Sequence, residues 1–307
     1  MPKKYSALET ILAVTYSVSR FNASVYALQT HLNYHIVEAG TVPKRLAQHW
    51  GAGGVSGARY CLLRPASNAD FYLRFIESPP APDYQPLKTY GWNATEFLVK
   101  DVHALAQELQ NSAYTIIGGP RDLLEDGTAI ALQVRGPSGE IFYLTELNGA
   151  EFQNTYGRAD CKVDRAFIVV LGVAKHAEAL KQYQSLAAAT SEPRQLGIRV
   201  LANAHGLDPM NTKFTIASAI LGGQYRIEID GYPESAHLRT RQPNMLPPGL
   251  CMVSMTTSAI SGLPLKQTSP KMPLSGHIDA EPSAPYFGSK LAMTRGGAEE
   301  WIELVES

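Results

Sequence analysis

Three things are scarce in this chain of 307 residues: cysteine, surplus charge of either sign, and long apolar runs. The three cysteines, Cys61, Cys161 and Cys251, lie far apart and lack the paired spacing of a metal knuckle or a disulfide framework, so they read as reduced, buried thiols. Lys and Arg number 27 against 28 Asp and Glu, for a formal net charge of −1, and no basic run is longer than a pair such as Lys3–Lys4. That balance lacks the electrostatic footprint of a nucleic-acid or membrane-surface binder. No apolar stretch approaches the ~20 residues that a spanning helix needs, and "MPKKYSALE" has no secretory core. The expected setting is the cytoplasm, and the expected partners exclude nucleic acid and membrane. Phosphate-loop and dinucleotide fingerprints are missing as well. "GAGGVSG" (51–57) has the glycines but neither the Lys-Ser/Thr ending nor a following helix start.

What remains is a globular balance, 45% hydrophobic and 18% charged, in a chain long enough for two ordinary domains. It repeats itself. Four stretches open on an alternating strand-like run: "LETILAVTYSV" (8–18), "WNATEFLVKDV" (92–102), "VDRAFIVVLGV" (163–173) and "CMVSMTTSAI" (251–260). Four others close on one: "FYLRFIES" (71–78), "EIFYLTEL" (140–147), "QYRIEIDGY" (224–232) and "EWIELVES" (300–307). Each opening precedes a closing by roughly 50 to 65 residues, the spacing of a supersecondary repeat. A helical pattern follows the first three openings; in "VHALAQELQNS", Val102, Leu105, Ala106 and Leu109 recur at helical spacing. After the fourth, "SGLPLKQTSPKMP" is too Pro-rich for a regular helix. The unit therefore reads β-α-β-β-β, four times over. "ESPPAPDYQPLK" and "QPNMLPPG" join modules within each half, and "NGAEFQNTYGRAD" is a polar linker between halves. The expected domains are 1–150 (modules one and two) and 151–307 (modules three and four).

"LGVAKHAEALKQYQSL", "VYALQTHLNYHIVEAGTV", "VRGPSGEIFYLTEL" and "PYFGSKLAMTRGGAEEWIELVE" resemble the vicinal oxygen chelate superfamily, which includes glyoxalase I, bleomycin-resistance proteins and type I extradiol dioxygenases. The likeness spans nearly the whole chain and is to the four-module members. It implies an α+β fold of four tandem βαβββ modules, paired into two cup-shaped mixed-sheet domains, with metal ligands on the first and last strands of each module. Matched strand to strand, those positions are Thr10, Arg74, Ala94 and Tyr143 in the first half. In the second half they are Arg165, Glu228, Met252 and Glu303. An even slip, which keeps a side chain inside the cup, brings in Glu96.

A catalytic divalent metal takes about three His, Cys, Asp or Glu ligands. Neither half offers a histidine at a matched position, and each places an arginine where a dication would sit. The expectation is no cofactor, with a divalent metal at Glu228 and Glu303, helped by His277, as the alternative. The other histidines fall outside the pattern: His31 and His35 on different elements, His103 and His176 at helix starts, His49, His205 and His237 in loops.

Two readings of Arg74 stand side by side: an ion pair with Glu96 across the modules, or an anchor for a substrate oxyanion. Glu96 is the candidate base, because an apolar cup raises a carboxylate's pKa, and Tyr143 a candidate acid or oxyanion donor. Glu96, Tyr143 and Arg74 form the expected catalytic set; Thr10, Asn93, Arg165, Glu228 and Glu303 the expected substrate-binding set. Arg165 with Glu228 and Glu303 reads either as a buried charge network or as a second acid/base site. The implied function is an isomerase or lyase that uses no metal and acts on a small apolar or aromatic oxygenated molecule. The alternatives are a small-molecule sequestering protein and a metal-dependent dioxygenase or lyase with a non-standard ligand set. Four modules in one chain make pairing between chains unnecessary, leaving an exposed sheet edge as the place where a homodimer would form.

Overall fold

The computed structural model describes residues 6–263, 275–281 and 283–307. Module one runs from β1 (Ile11–Val18) through α1 (Phe21–His31), β2 (Tyr34–Thr41), α2 (Lys44–His49) and β3 (Arg59–Pro65) to β4 (Tyr72–Glu77). Module two comprises β5 (Gly91–Val99), α3 (Val102–Leu109), β6 (Thr115–Asp122), β7 (Ala129–Arg135) and β8 (Ile141–Leu147). A short helix, α4 (Ala150–Tyr156), leads into module three. That module contains β9 (Val163–Val173), α5 (His176–Gln184), β10 (Ala189–Thr190), β11 (Arg194–Leu196), α6 (Arg199–Ala204), β12 (Phe214–Ile220) and β13 (Arg226–Gly231). Module four has β14 (Gly249–Thr257), β15 (Ile278–Asp279), β16 (Lys290–Arg295) and β17 (Trp301–Glu306). Most of "SGLPLKQTSPKMP" lies outside the described residues. No helix among them is long and apolar enough to cross a membrane.

Every module joins its first and last strands in parallel. The registers set Thr15 beside Arg74, Glu96 beside Tyr143, Val170 beside Glu228 and Ser254 beside Glu303. The modules then pair through antiparallel first strands, but not neighbour with neighbour. One eight-stranded sheet runs β15-β16-β17-β14-β1-β4-β3-β2, so module one pairs with module four. The other runs β10-β12-β13-β9-β5-β8-β7-β6, with β11 on β12, so module two pairs with module three. The expected pairing inside 1–150 and 151–307 is thus replaced by an outer pair and an inner pair.

The connections explain the difference. The Pro-rich segments 78–90 and 232–248 leave one sheet and enter the other, and extended chain of that length spans roughly 3.1 Å per residue. "NGAEFQNTYGRAD" stays within one sheet. Both crossings are pinned by Arg239, which donates to the carbonyls of Leu250 (2.6 Å), Pro248 (3.1 Å) and Trp92 (2.5 Å) and lies over the Tyr84 ring. Gly249, at φ +75°, is tight against that same ring, where a β-carbon would collide.

Because strand residues alternate, each sheet has two apolar faces. The convex faces meet in one shared core with α1, α3 and α5. There Tyr16 stacks on Phe75 at 5.3 Å and donates to or accepts from Thr95 Oγ1 at 2.8 Å across the sheets. Phe97 and Phe142 meet edge-on at 5.2 Å. The two concave faces look away from each other, as cups.

Candidate functional site

In the outer cup, built by modules one and four, β17 carries Glu303 and β4 carries Arg74 into the interior. Glu303 is fully buried, with 0% exposure, and Arg74 has 2%. Arg74 Nη2 lies 3.7 Å from Glu303 Oε2 and donates to the Tyr286 hydroxyl at 2.6 Å. Tyr286 in turn donates to both carboxylate oxygens at 2.8 Å. Trp50 Nε1 donates to Oε1 at 2.7 Å and Ser254 Oγ to Oε2 at 2.5 Å. The Trp50 and Tyr286 rings each sit 5.1 Å from the guanidinium. What is left open is about 70 Å³. Arg74 therefore pairs with Glu303, and neither expected partner holds: Glu96 faces the other cup, and Arg165 is not beside Glu303.

The inner cup is open, with a cavity of about 560 Å³. Its polar floor is Glu96 and Thr145 from the first and last strands of module two, Tyr143 beside them, and Glu228 from β13. Thr145 Oγ1 donates to Glu96 Oε1 at 2.6 Å. Burial pushes the Glu96 carboxyl up to about 7, tempered by that hydrogen bond. Asp230, two residues beyond Glu228 and 1% exposed, is pushed up to about 8 by burial and then by Glu96. Glu228 is held well above the carboxylate range by burial, Asp230 and Glu96. Among the described residues no cation offsets any of the three. Acids that close share protons rather than ionise together, so near neutral pH the floor holds carboxylic acid and carboxylate side by side. Burial, with the Asp230, Glu228 and Glu96 charges behind it, also holds the Tyr143 phenol well above its ordinary value, fixing it as a neutral donor.

The walls are aromatic. Phe152 and Tyr156, one turn apart on α4, stack at 6.3 Å, and Tyr156 meets Phe167 at 5.4 Å. The expected polar linker is thus a helix that roofs the cup. Arg121 and Arg199, both exposed, stand among the lining residues.

Of the expected catalytic set, Glu96 and Tyr143 come together and Arg74 does not. Among the expected binding residues, Glu228 joins them while Glu303 belongs to the outer cup; the two carboxylates lie on different sheets and cannot share an ion. Thr10 precedes β1 and bonds to Thr256 Oγ1 at 2.8 Å on the sheet rim. Asn93 donates to the Thr89 and Gly91 carbonyls, both at 2.8 Å, and fastens the entry to β5. Arg165 donates to the Tyr156 carbonyl at 2.7 Å and to Gln224 Oε1 at 2.6 Å, and lies over Tyr225. His277 is exposed, and His49 closes α2. Sequence reasoning missed Asp230 and Thr145, although strand period two from Glu228 and Tyr143 points at both. It had no signal for Trp50 or Tyr286, which reach Glu303 from outside the repeat.

Neither cup's residues suit a metal. The outer carboxylate is taken up by four neutral donor contacts and a guanidinium. The inner floor has no imidazole or thiolate of the kind that holds zinc or iron, and no group of three or more His, Cys, Asp or Glu among the described residues is arranged to hold an ion.

No protein-family model matches the sequence, and no curated protein does. Solved structures match the fold. Glyoxalase I from Zea mays aligns with a TM-score of 0.63 at 15% identity, covering 96% of this chain and 92% of that one. A putative dioxygenase from Bacillus subtilis aligns at 0.59 and 12%, covering 98% and 86%. These likenesses show the fold, four βαβββ modules curled into two mixed sheets, as in glyoxalase I and the putative dioxygenase.

Proposed function

We propose that the inner cup is the working site, and that it catalyses proton transfer of the isomerase or lyase type, without a metal, on a small apolar or aromatic oxygenated molecule. The observation that carries this is Glu96: a carboxyl poised at about 7, in an open aromatic cup, beside a phenol that stays protonated. A general base works best when its pKa lies near the operating pH. A cavity of this size suits a compact organic ligand.

The chemistry follows from the floor. A substrate carbonyl accepts a hydrogen bond from Tyr143. Glu96 removes a proton from the adjacent carbon, breaking the C–H bond, and the electron pair moves into the carbonyl to give an enolate. Tyr143 stabilises that oxyanion, and one of the protonated acids, Asp230 or Glu228, limits the negative charge on the floor. Glu96 then returns the proton to a neighbouring carbon, which is an isomerisation, or a group on that carbon departs with the electron pair, which is an elimination.

The test is solvent-deuterium incorporation, followed by proton NMR, across a panel of aryl ketones and aromatic acids. It detects proton abstraction without requiring the product to be known. The chain should exchange at least one panel member; Glu96→Gln should abolish exchange, and Tyr143→Phe should slow it by about 10²-fold. Tight binding with no exchange, unchanged in Glu96→Gln, would refute catalysis and leave a sequestering protein.

A further inference from the structure

Where the inter-sheet crossings meet β17, a second cleft of about 210 Å³ opens between the sheets, outside both cups. Trp92 and Tyr90 of module two face Trp301 of module four across it, with Arg239 and Arg241 on the crossing between them. Arg241 and Arg295 both lie over the Trp301 indole, their guanidinium carbons 5.7 and 4.3 Å from its centroid. Arg239 is fixed nearby by its four hydrogen bonds to Leu250, Pro248, Trp92 and Thr89, all to uncharged groups. Arg239 and Arg241 thus line the cleft and Arg295 shares the Trp301 indole with Arg241, and among the described residues none of the three forms a salt bridge with a carboxylate.

The carboxylates that face them do not balance the charge. Glu299 stands exposed on the rim and weakly favours the charged Arg295. Glu300 is buried, accepts from the Tyr183 hydroxyl at 3.0 Å and the Ala298 amide at 2.8 Å, and is pushed up to about 7 by burial. Burial and the Arg241 charge together pull the Arg295 guanidinium below its ordinary value. Two like charges on one aromatic ring, with Arg241 exposed at the mouth of a cleft that has room to spare, suit an incoming anion. Cation–π attraction holds Arg241 and Arg295 on the indole. Arg239 already donates four hydrogen bonds and adds charge alone, while the planar forks of Arg241 and Arg295 make no hydrogen bond among the described residues and can grip oxygen.

We propose that this cleft is an oxyanion site: it takes a phosphate or carboxylate group on Arg241 with Arg239 and Arg295 in support, and a small organic body against Tyr90 and Leu238. The ligand would bridge the crossing segment to module four and so clamp one sheet to the other.

Inorganic phosphate is the first probe, titrated at constant ionic strength so that surface-exclusion effects of salt cancel, with melting temperature and phosphorus NMR linewidth as readouts. The wild-type chain should show saturable stabilisation and line broadening. Arg241→Ala should weaken phosphate affinity by about tenfold, the loss of one charge-assisted contact. Without phosphate, the same variant should melt no lower than wild type, because a repulsion has been removed. Arg241→Gln, which keeps the stem over Trp301, should behave alike. Phenyl phosphate and benzoate then separate the sources: whichever binds more tightly identifies the natural headgroup as phosphate ester or carboxylate. An equal phosphate response in wild type and both variants, or none in wild type beyond that of chloride, would overturn the site.

Discussion

Replacing Glu303 with Gln isolates the claim that the outer cup is sealed by an ion pair rather than built for chemistry. The substitution keeps the shape and one carbonyl acceptor, but leaves the Arg74 charge buried at 2% exposure with no counterion. At 3.7 Å and an effective dielectric near 20, the lost attraction is about 4–5 kcal/mol. Breaking buried pairs by removing one partner destabilises by about 3–5 kcal/mol. In a chain of this size about 2 °C accompanies each kcal/mol, so the melting temperature should fall by roughly 6–10 °C. Arg74→Met alone should do comparable harm. The double variant should recover to within about 2 kcal/mol of wild type, since exchanging a whole buried pair for uncharged groups is often neutral. The assay is a double-mutant cycle by urea unfolding, with inner-cup ligand exchange measured on the same four proteins. Strictly additive losses, or singles that each cost under about 1 kcal/mol, would refute the pairing. Loss of inner-cup exchange in a variant that remains folded would refute the division of labour between the cups.

Buried carboxyls, on the inner floor and beside the inter-sheet cleft, make stability depend on pH with a definite sign. Glu96 and Glu300 are pushed up to about 7 and Asp230 to about 8, so the folded chain binds protons more tightly than the unfolded one. Their contribution is complete below the ordinary carboxylate range and is lost as pH rises from about 4 to about 8; melting temperature should fall over that span, and Glu96→Gln should flatten the slope. A melting temperature that climbs from pH 5.5 to 8.5 would contradict this. Elemental analysis after expression with added Fe, Mn, Zn and Ni should find less than about 0.1 equivalent of each, because among the described residues no three His, Cys, Asp or Glu are arranged to hold an ion; stoichiometric metal would remove the metal-free mechanism.

Period-two alternation and module spacing made the strands legible. The expected openings and closings fall on β1, β5, β9, β14 and on β4, β8, β13, β17, because a repeated unit writes its pattern four times. Facing was harder. The rule that only even slips keep a side chain inside holds along an unbroken ladder, but β1 carries register shifts between Ile11 and Ala13 and again at Thr15. Thr10 stops one residue short of β1, and the unbroken β1–β4 ladder sets Thr15, not Thr10, beside Arg74. A shift in the β5–β9 ladder between Glu96 and Phe97 likewise leaves Arg165 at the outer end of β9, over Tyr225. Module pairing was not written in the modules at all. It rested on which linkers cross between sheets, and prolines in 78–90 and 232–248 were the available sign.

The two cups handle buried charge in opposite ways, and the contrast bears on which one works. Around Glu303, every hydrogen-bonding demand of the carboxylate is met by Trp50, Ser254 and Tyr286, and its charge by Arg74. The Glu303 carboxylate has no unmet interaction to offer a substrate, and the open demand in this cup is Arg74 Nη1, buried without a partner, a fixed cation that neither takes nor gives a proton. Around Glu96 the demands are left open: one hydrogen bond from Thr145, no cation, two further acids within electrostatic reach, and Asp230 Oδ1 buried without a partner. Such a floor is unfavourable for folding by an amount that a merely structural cup could shed with a single apolar substitution. Strain of that kind persists where function holds it. A ligand able to accept a proton from one acid and surrender one to another would relieve the floor on binding, which is the property a proton-transfer site requires and the outer cup lacks.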